Sequence, residues 1–459
     1  MQTLKRMYLR HVAIAVVLLS LLPIAAHAAT LCVEPSGRGG CTTTISAAVA
    51  AAGAGDVVRV GKGVYHEDVI IQKPLSLLGE NANNTIIDAT GLLNGINVDG
   101  VGAPGLAHVI VGGFTVRNAN AQGIVVTNAS DVVISNNHVT GNDKSLMDGM
   151  CPAPGFPPYF VAGEGFDCGE GIHLSGVRQS IVSGNLVNHN SGGILISDDT
   201  GSNHDNVIKN NVVEDNPFDC GITIASHHFH LGPTDPSVGI YHITVTDNVS
   251  RRNGLVSGEG AGIGIFAGPP GAQNNDNVVI HNVSTGNALP GVALHAHSPF
   301  QSLSGHQIIG NEISGNGPDS DPGTTTPTGI SLYSRDETGM GMAAPLIGIV
   351  IADNVIEHED IDVVMNAENA SSDVAVHFNS LPKRVGVENV DAGTISATAN
   401  WWGCPKGPGA NGCSIVIGNG VTTNPWLTQP VGDGDDGHDH DHGHDHGHDQ
   451  DHGHDHDSH

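Results

Sequence analysis

The sequence repeats two short elements over most of its length. One is a glycine followed by an apolar residue, any residue and a second apolar residue, as in Gly193-Ile194-Leu195-Ile196. The other is a pair of asparagines five positions apart with apolar residues between them. Self-similarity on this scale predicts a solenoid of stacked coils. The glycine element begins at Gly123, Gly171, Gly193, Gly221, Gly262, Gly291 and Gly329, and the pairs are Asn137/Asn142, Asn185/Asn190, Asn211/Asn216, Asn248/Asn253, Asn282/Asn287 and Asn311/Asn316.

The two repeated elements together indicate one type of coil. Short alternating apolar runs indicate strands with one face turned inward. Asparagine tolerates the left-handed backbone of a tight corner, and stacked asparagines can bond to one another as an amide ladder. The 22-residue period from Gly171 to Gly193 accommodates about three such strands. We therefore predict an all-β parallel β-helix of about ten coils with an Asn ladder, rather than a sandwich or barrel.

Both ends of such a rod need caps, because an open coil exposes strand edges and apolar core. The pattern from Thr44 to Ala52 predicts a small amphipathic helix that ends at Gly53. At the other end, Asn400-Trp401-Trp402-Gly403 supplies a large apolar area. The predicted divisions are a signal peptide (1–28), an N-terminal cap (29–55), the β-helix (56–399), a C-terminal cap (400–431) and a disordered His/Asp-rich tail (432–459).

The first 28 residues have the features of a cleavable secretory signal. Lys5, Arg6 and Arg10 precede an apolar stretch from Val12 to Ala25, and Ala26-His27-Ala28 suits a cleavage site. The apolar stretch is short for a membrane anchor. We expect a secreted or periplasmic protein, of bacterial origin, that has no membrane span and is a monomer.

Seven cysteines in an exported chain suggest disulfide bonds. Either Cys168 or Cys220 could pair with Cys151, because both follow the same Phe-Asp dipeptide, and the remaining one is then a buried thiol. Two further pairs are expected near the ends of the folded region: Cys32 with Cys41 and Cys404 with Cys413.

The charge balance excludes one large class of partner. There are 17 Lys and Arg residues against 47 Asp and Glu residues, so phosphate backbones would repel the chain and nucleic-acid binding is not expected. At 39 % apolar residues there is ample material for a core outside the tail.

Residues 45–88, ISAAVAAAGAGDVVRVGKGVYHEDVIIQKPLSLLGENANNTIID, resemble the opening coils of pectin-lyase-like right-handed parallel β-helix proteins. The NosD-like group and the pectin methylesterases are the most similar members. The later repeats resemble the generic parallel β-helix repeats of that superfamily, and Asn400-Trp401-Trp402-Gly403 is similar to its closing segment. The resemblance implies a right-handed helix and favours a carbohydrate ligand.

The resemblance does not select a reaction. Gly63-Val64-Tyr65-His66-Glu67 fits an early motif of pectin methylesterases, but their catalytic blocks are absent. Asp198-Asp199 resembles the paired aspartates of polygalacturonases, yet the other elements of that family are missing. The Asp-Pro-His element of secreted alginate epimerases is also not found. NosD-like proteins have been linked to copper-site maturation, a role that the repeat alone does not carry.

Candidate catalytic residues follow from stacking the strands in register. The fourth and sixth residues after each glycine would then form outward columns. From Gly193 onward, longer segments follow the strand and would wall this face into a groove for an extended saccharide. His295, His297, Tyr333 and Arg335 would lie on neighbouring coils as the acid, base and cation of a uronate lyase or epimerase.

Phe266 could stack on a sugar ring beside these residues, with Asp199 and His173 as further substrate contacts. An exposed polar face with ordinary column stacking is the alternative interpretation. The negative charge of the chain disfavours a polyanionic substrate unless Ca²⁺ bridges it.

Two segments predict divalent-metal binding. His227, His228 and His230, with His173 or Asp199, could hold Zn²⁺ or Cu²⁺. The tail alternates imidazole and carboxylate and could wrap Zn²⁺, Ni²⁺ or Cu²⁺. Its histidines are His438, His440, His442, His444, His446, His448, His452, His454, His456 and His459.

Two functions of different classes are therefore compatible with the sequence. In the first, the groove binds an extended polysaccharide or cell-surface glycan and acts on it as a lyase, epimerase or glycoside hydrolase. In the second, the rod is a noncatalytic surface or metal-handling protein whose tail is the active part. No organic cofactor is expected in either case.

Overall fold

The computed structural model describes residues 28–144, 167–229 and 238–431. Over these residues the chain winds as a right-handed parallel β-helix in which all neighbouring strands run parallel, so the predicted fold is confirmed. Helix α1 spans Ile45–Ala51, and single 3-10 turns span Arg38–Gly40 and Asp167–Gly169.

Three long sheets form the sides of the rod. Sheet A has fourteen strands: Thr30–Val33, Asp56–Val60, Leu75–Gly79, Ala107–Gly112, Ser130–Ser135, Ile181–Ser183, Val207–Lys209, Thr244–Thr246, Val278–Ile280, Gln307–Ile309, Ile347–Ala352, Asp373–His377, Thr394–Ser396 and Val421–Thr422. Sheet B has ten strands: Gly63–Tyr65, Thr85–Asp88, Thr115–Arg117, His138–Thr140, Leu186–Asn188, Val212–Glu214, Val249–Arg251, Val283–Thr285, Glu312–Ser314 and Val355–Glu357.

Sheet C carries the strands of the glycine element, and a small sheet D lies beside it. Sheet C has twelve strands: Val69–Ile71, Ile96–Asp99, Ile124–Thr127, Ile172–Ser175, Ile194–Ser197, Ile222–Ser226, Ile263–Ala267, Val292–Ala296, Thr328–Ser334, Ile361–Ala367, Val385–Asn389 and Ile415–Gly418. Sheet D has four strands: Asn203–His204, Ile240–Tyr241, Gln273–Asn275 and Ser302–Ser304. The ten strands of sheet B match the predicted number of coils, and sheets A and C extend further at the ends of the rod.

The glycine element sets the register of sheet C. The apolar residue after each glycine stacks on its counterpart in the next coil, as Ile172 pairs with Ile194, and both are fully buried in the core. The glycine itself is required by the close approach of coils. A Cβ on Gly193 would lie 2.1 Å from the carbonyl oxygen of Gly221 and 2.2 Å from a methyl carbon of Val213. Such contacts are far shorter than van der Waals distances.

The asparagine pairs form two ladders, one at each end of the sheet B strands. At a typical rung, the backbone N–H and the side-chain amide of Asn211 both donate to Oδ1 of Asn248, at 2.9 and 3.0 Å. Asn248 donates in the same way to Asn282. The first ladder contains Asn137, Asn185, Asn211, Asn248, Asn282, Asn311, Asn354, Asn379 and Asn400. The second contains Asn142, Asn190, Asn216, Asn253, Asn287 and Asn316 and ends at Glu359.

The predicted backbone role of these asparagines is wrong. The left-handed residue of each corner is the one before the ladder asparagine, as at Asp247 (φ 56°) before Asn248 and Arg252 (φ 55°) before Asn253. The ladder asparagine instead satisfies buried backbone groups of neighbouring coils with its side chain. Each pair thus flanks a short strand with two corners and does not form a single corner.

Helix α1 caps the first coils at the predicted place. Its buried face carries Ile45, and Thr44 accepts a hydrogen bond from the N–H of Ala47. The Glu67 carboxylate accepts from the N–H groups of Ile45 and Ser46 at 2.7 and 2.8 Å. The segment Gly63–Glu67 therefore anchors the cap, because carboxylates stabilise helix N-termini.

The C-terminal end is closed by aromatic side chains. Trp402 is fully buried in the main core, and Trp426 packs against it from outside. Asn400 is the last member of the first ladder. The Cys404–Cys413 disulfide closes the loop that follows.

The disulfide predictions at the two ends are confirmed, since Cys32–Cys41 is also formed. Cys168 is disulfide-bonded. Cys220 is a buried thiol whose sulfur accepts from the N–H of Ala261 at 3.2 Å. Cys151 lies outside the described residues.

The predicted signal peptide, apart from Ala28, and the predicted tail also lie outside the described residues. Among the residues that are described, no helix combines the length and apolar character needed to cross a membrane.

Candidate functional site

Loops and extra strands rise on both sides of the outward face of sheet C. The long segments that follow its strands contain sheet D, and segments 254–261 and 317–327 precede its strands at the other edge. Outward residues such as Leu195, Thr223 and Ala293 are consequently buried although they face away from the core. We call this face, bounded by the two sets of loops, the sheet C groove.

An aromatic column runs along the groove on three consecutive coils. Phe266 pairs with His295, and His295 pairs with Tyr333, so the fourth residues after the glycines stack in register. The ring centroids of Phe266 and His295 are 5.4 Å apart, and those of His295 and Tyr333 are 5.8 Å apart. Adjacent parallel strands impose this spacing on their side chains.

His295 lies between two aspartates of the 317–327 segment. Its Nε2 is 2.8 Å from Oδ2 of Asp319, and its Nδ1 is 3.0 Å from Oδ2 of Asp321. Ser331 also donates to Asp319, which fixes that carboxylate. His295 and Asp319 are buried, whereas Asp321 is partly exposed.

The two aspartates determine the charge of His295. Burial alone would lower its pKa, but Asp319 and Asp321 outweigh this effect and raise the pKa to about 9. Burial likewise opposes ionisation of Asp319, yet His295 and Ser331 hold the pKa of Asp319 below its usual value. His295 and Asp319 therefore form a buried ion pair at neutral pH, with the second proton of His295 on Nδ1 toward Asp321.

Glu337 contributes a further carboxylate at the Tyr333 end of the aromatic column. Oε1 of Glu337 is 3.2 Å from Nδ1 of His297 and accepts a hydrogen bond from the Tyr333 hydroxyl at 2.8 Å. Burial and Glu337 raise the pKa of Tyr333 well above its ordinary value, so the hydroxyl keeps its proton. Nε2 of His297 is 3.5 Å from Asp321, which links the two halves of the cluster.

Phe266, His295 and His297 line a cavity of about 260 Å³, and Glu337 lies beside it through its contact with His297. Four of the lining side chains are carboxylates, from Asp219, Glu259, Asp319 and Asp321, and no Lys or Arg is among them. The remaining lining residues are Gly258, Phe266, Ala267, Gly268, Leu289, His295, His297 and Ser320.

Arg335 is engaged away from this cavity. Its Nη1 donates to Asp391 and, at 3.1 Å, to Asn366. The structure thus brings His295, His297 and Tyr333 together. The guanidinium of Arg335 is directed away from them and bonds to residues of the following coils.

A second polar cluster lies further along the same face. Nε2 of His173 is 2.8 Å from the Ser197 hydroxyl, which donates to Asp199. The other oxygen of Asp199 is 3.0 Å from Nδ1 of His227. Asp198 accepts from the N–H of His227 at 2.7 Å.

Burial controls the ionisation of this cluster. It lowers the pKa of His173 to about 4 and raises the pKa of Asp198. Burial also acts to raise the pKa of Asp199. The hydrogen bonds with His227 and Ser197 outweigh burial, so the pKa of Asp199 is lowered. Three rungs separate Ser197 from His295 in the column, which corresponds to about 14 Å.

The predicted metal residues are only partly described. His227 contacts Asp199, and His228 follows it at the edge of the groove, half-buried. His230 and the tail histidines lie outside the described residues.

The sequence pattern does not predict three carboxylates of the site: Asp319, Asp321 and Glu337. Asp319 and Asp321 lie in the segment between Asn316 and Gly329, which is longer than the equivalent segments after Asn190, Asn216 and Asn287. That length difference is the signal for a second wall of the groove, formed by segments that precede the strands.

The comparisons with known proteins agree with this fold. The family model described as the right handed beta helix region matches residues 79–300. This family match and the strand topology show that the protein is a right-handed parallel β-helix protein, as the resemblance implied. No curated protein sequence matches the chain significantly.

Several solved structures are similar in fold. The GH136 lacto-N-biosidase from Eubacterium ramulus is 11 % identical, with a TM-score of 0.51, covering 88 % of this chain and 68 % of its own. The A-module of the mannuronan C-5 epimerase AlgE6 from Azotobacter vinelandii is 16 % identical, with a TM-score of 0.47, covering 84 % and 94 %. The alginate lyase from Paenibacillus sp. str. FPU-7 is 12 % identical, with a TM-score of 0.46, covering 80 % and 99 %. At these identities the similarity concerns the fold.

Proposed function

We propose that this protein binds an extended polysaccharide in the sheet C groove and acts on one of its sugars at the His295 cluster. The observation that carries the proposal is the cavity beside Phe266 and His295, where an aromatic ring, imidazoles and carboxylates converge on consecutive coils. Pockets that combine a few polar groups with apolar walls are the usual sites of ligand binding.

The length of the groove suits a polymer. The Asp199 cluster and the His295 cluster share one face and are about 14 Å apart along the rod, a separation set by the spacing of the strands. Phe266 offers a partly exposed aromatic ring between them for contact with a sugar face. The side chains of His173, Asp199 and His227 are only about 5 % exposed, so a chain of sugars running parallel to the rod axis would lie over this cluster and enter the cavity at Phe266 and His295.

Proton transfer in this proposal is assigned to Glu337. Its side chain is about half exposed, and it is oriented by Tyr333 and His297. A carboxylate that reaches solvent and is held by two donors can take a proton from a bound sugar or return one to it.

The negative charge of the cavity lining restricts the type of glycan that can bind. Four carboxylates surround the site and Arg335 bonds to Asp391 instead, so the field repels a polyanion that brings no cation. The site favours a neutral glycan, or an acidic glycan bridged by a metal ion.

Export and metal capture by the tail are further parts of the proposal. Both the signal features of residues 1–28 and the disulfides Cys32–Cys41 and Cys404–Cys413 are typical of proteins from oxidising compartments. The alternating His and Asp residues of the tail favour Zn²⁺, Ni²⁺ or Cu²⁺. Equilibrium dialysis of the full chain and of a variant with every tail histidine changed to Gln tests the tail: the variant is expected to bind fewer ions, and equal binding contradicts this role.

A polysaccharide binding panel tests the groove. We expect wild-type protein to retain at least one polysaccharide and Phe266→Ala to bind it about tenfold more weakly, because it loses a sugar-stacking contact. Phe378→Ala is the matched control, since Phe378 is an exposed aromatic at a corner between sheets A and B, and binding should be unchanged. A panel on which wild-type protein binds nothing would overturn the proposal.

A further inference from the structure

We propose that His295, His297 and Asp321 together bind one divalent transition-metal ion, for which Zn²⁺ is the probe. One ligand atom from each of the three residues lies within 4.8 Å of the other two. The Asp321 carboxylate is 3.0 Å from Nδ1 of His295 and 3.5 Å from Nε2 of His297. An ion bound between these ligands would displace the proton that Nδ1 of His295 carries toward Asp321, and three ligands of this type would leave a fourth coordination position for a further ligand.

The ligand types define the class of ion. Two imidazole nitrogens and one carboxylate oxygen suit Zn²⁺ and its neighbours, whereas Ca²⁺ and Mg²⁺ prefer oxygen ligands alone. His295 is in the strand Val292–Ala296 and His297 directly follows it, so two of the three ligands are held by sheet C. Asp321 comes from the 317–327 segment and closes the set from the other side.

The nitrogens that face away from the proposed ion are both held by carboxylates. Nε2 of His295 is 2.8 Å from Asp319, and Nδ1 of His297 is 3.2 Å from Glu337. Asp319 is itself fixed by the hydroxyl of Ser331 and the N–H of Asp321. Metal-binding histidines characteristically have such an outer carboxylate, which orients the ring and selects the nitrogen that binds.

The charge of the cavity also favours a cation. Four carboxylates line it without a Lys or Arg side chain among the lining residues. An ion at this position would neutralise part of that charge and present its open coordination position to a sugar hydroxyl or carboxylate. The inference deepens the proposed function, on which it rests for the use of the ion, but binding of the ion is measured without any glycan.

Thermal unfolding of the full chain with and without Zn²⁺ separates this site from the tail. A site that exists only in the folded rod raises the melting temperature, whereas a tail that offers the same ligands in the folded and unfolded chain does not. For a rod of this size, Zn²⁺ at a hundredfold excess over its Kd should raise the melting temperature by about 3 °C. No rise for wild-type protein would overturn the inference.

Two variants locate the effect. Asp321→Asn and His297→Gln should each abolish the rise while unfolding cooperatively without zinc. Asp205→Asn is the matched control, because Asp205 also lies near two histidines, 2.8 Å from His204 and 3.2 Å from His242, on the exposed surface. The control should keep the full rise, and a rise that persists in both Asp321→Asn and His297→Gln contradicts the site. A zinc-induced rise without glycan binding would refute the proposed function alone, and glycan binding without the rise would refute the ion alone.

Discussion

Glu359 gives the sharpest test of the ladder energetics. It occupies the position that asparagine holds in every other rung of the second ladder, and it accepts from the N–H and the side-chain amide of Asn316, at 3.0 and 2.9 Å. Burial is the main reason that the pKa of Glu359 is raised from 4.5 to about 7, with a smaller contribution from Asp360. The fold therefore prefers the protonated side chain.

The sign of the pH effect follows from this shift. Below about pH 4.5 the carboxyl is protonated in both states, and the fold keeps its full stability. Between about pH 4.5 and pH 7 the unfolded state releases its proton while the folded state keeps it, so the stability of the fold decreases as the pH rises through this range. At about 1.4 kcal/mol per pKa unit, the rise from 4.5 to about 7 corresponds to a loss of roughly 3–3.5 kcal/mol, which is complete above pH 7. Burial strongly raises the pKa of Asp362, and the negative charge of Glu359 raises it further. Ionisation of Asp362 therefore adds to the loss of stability at high pH.

Glu359→Gln should remove this loss, because the amide is neutral at every pH and still offers an oxygen to Asn316. Urea unfolding at pH 4.5 and pH 8.5 measures the difference. We expect similar stabilities at pH 4.5 and a gain of roughly 3–3.5 kcal/mol for the variant at pH 8.5. Glu357→Gln, on the exposed side of the same strand, is the control and should show no such gain. An equal effect of Glu359→Gln at both pH values would refute the reasoning.

Three further predictions concern what holds the rod together. Asn248→Ala should cost about 2–4 kcal/mol in urea unfolding, because the buried N–H of Asn211 loses its acceptor, and a cost near zero would contradict the ladder. Replacing both Cys32 and Cys41 by Ser should cost about 2–3 kcal/mol, measured against wild-type protein under oxidising conditions, and no loss would show that the loop is ordered without the bond. Glu67→Gln should cost about 1 kcal/mol through the N-terminus of α1, and an unchanged urea midpoint would argue against this cap.

The fold could be predicted because its rule is local and repeats. The residue after each glycine must face inward, and Gly193 must lack a side chain, whatever the loops between them do. The ladder was predictable for the same reason, since Asn211 and Asn248 occupy equivalent places. The left-handed residue at the corners was misplaced by one position, because Asp247 carries no repeating chemical signature.

Only those residues of the site that lie in the repeating strands could be predicted. Phe266, His295 and Tyr333 are strand residues, so their stacking follows from register alone. Asp319 and Asp321 come from an irregular segment whose path depends on packing and not on period. Their approach to His295 could not be obtained from spacing.

Product formation by Glu337→Gln tests the central claim most directly. The substrate is the polysaccharide that the wild-type protein retains, and released or epimerised sugar is measured beside binding affinity. We predict that the variant binds as well as wild-type protein, because Gln still accepts from Tyr333, and that its turnover falls by at least about 100-fold through loss of the proton-transferring carboxylate. Turnover equal to that of wild-type protein, or a wild-type protein that binds the polysaccharide and never changes it, would contradict catalysis in the sheet C groove.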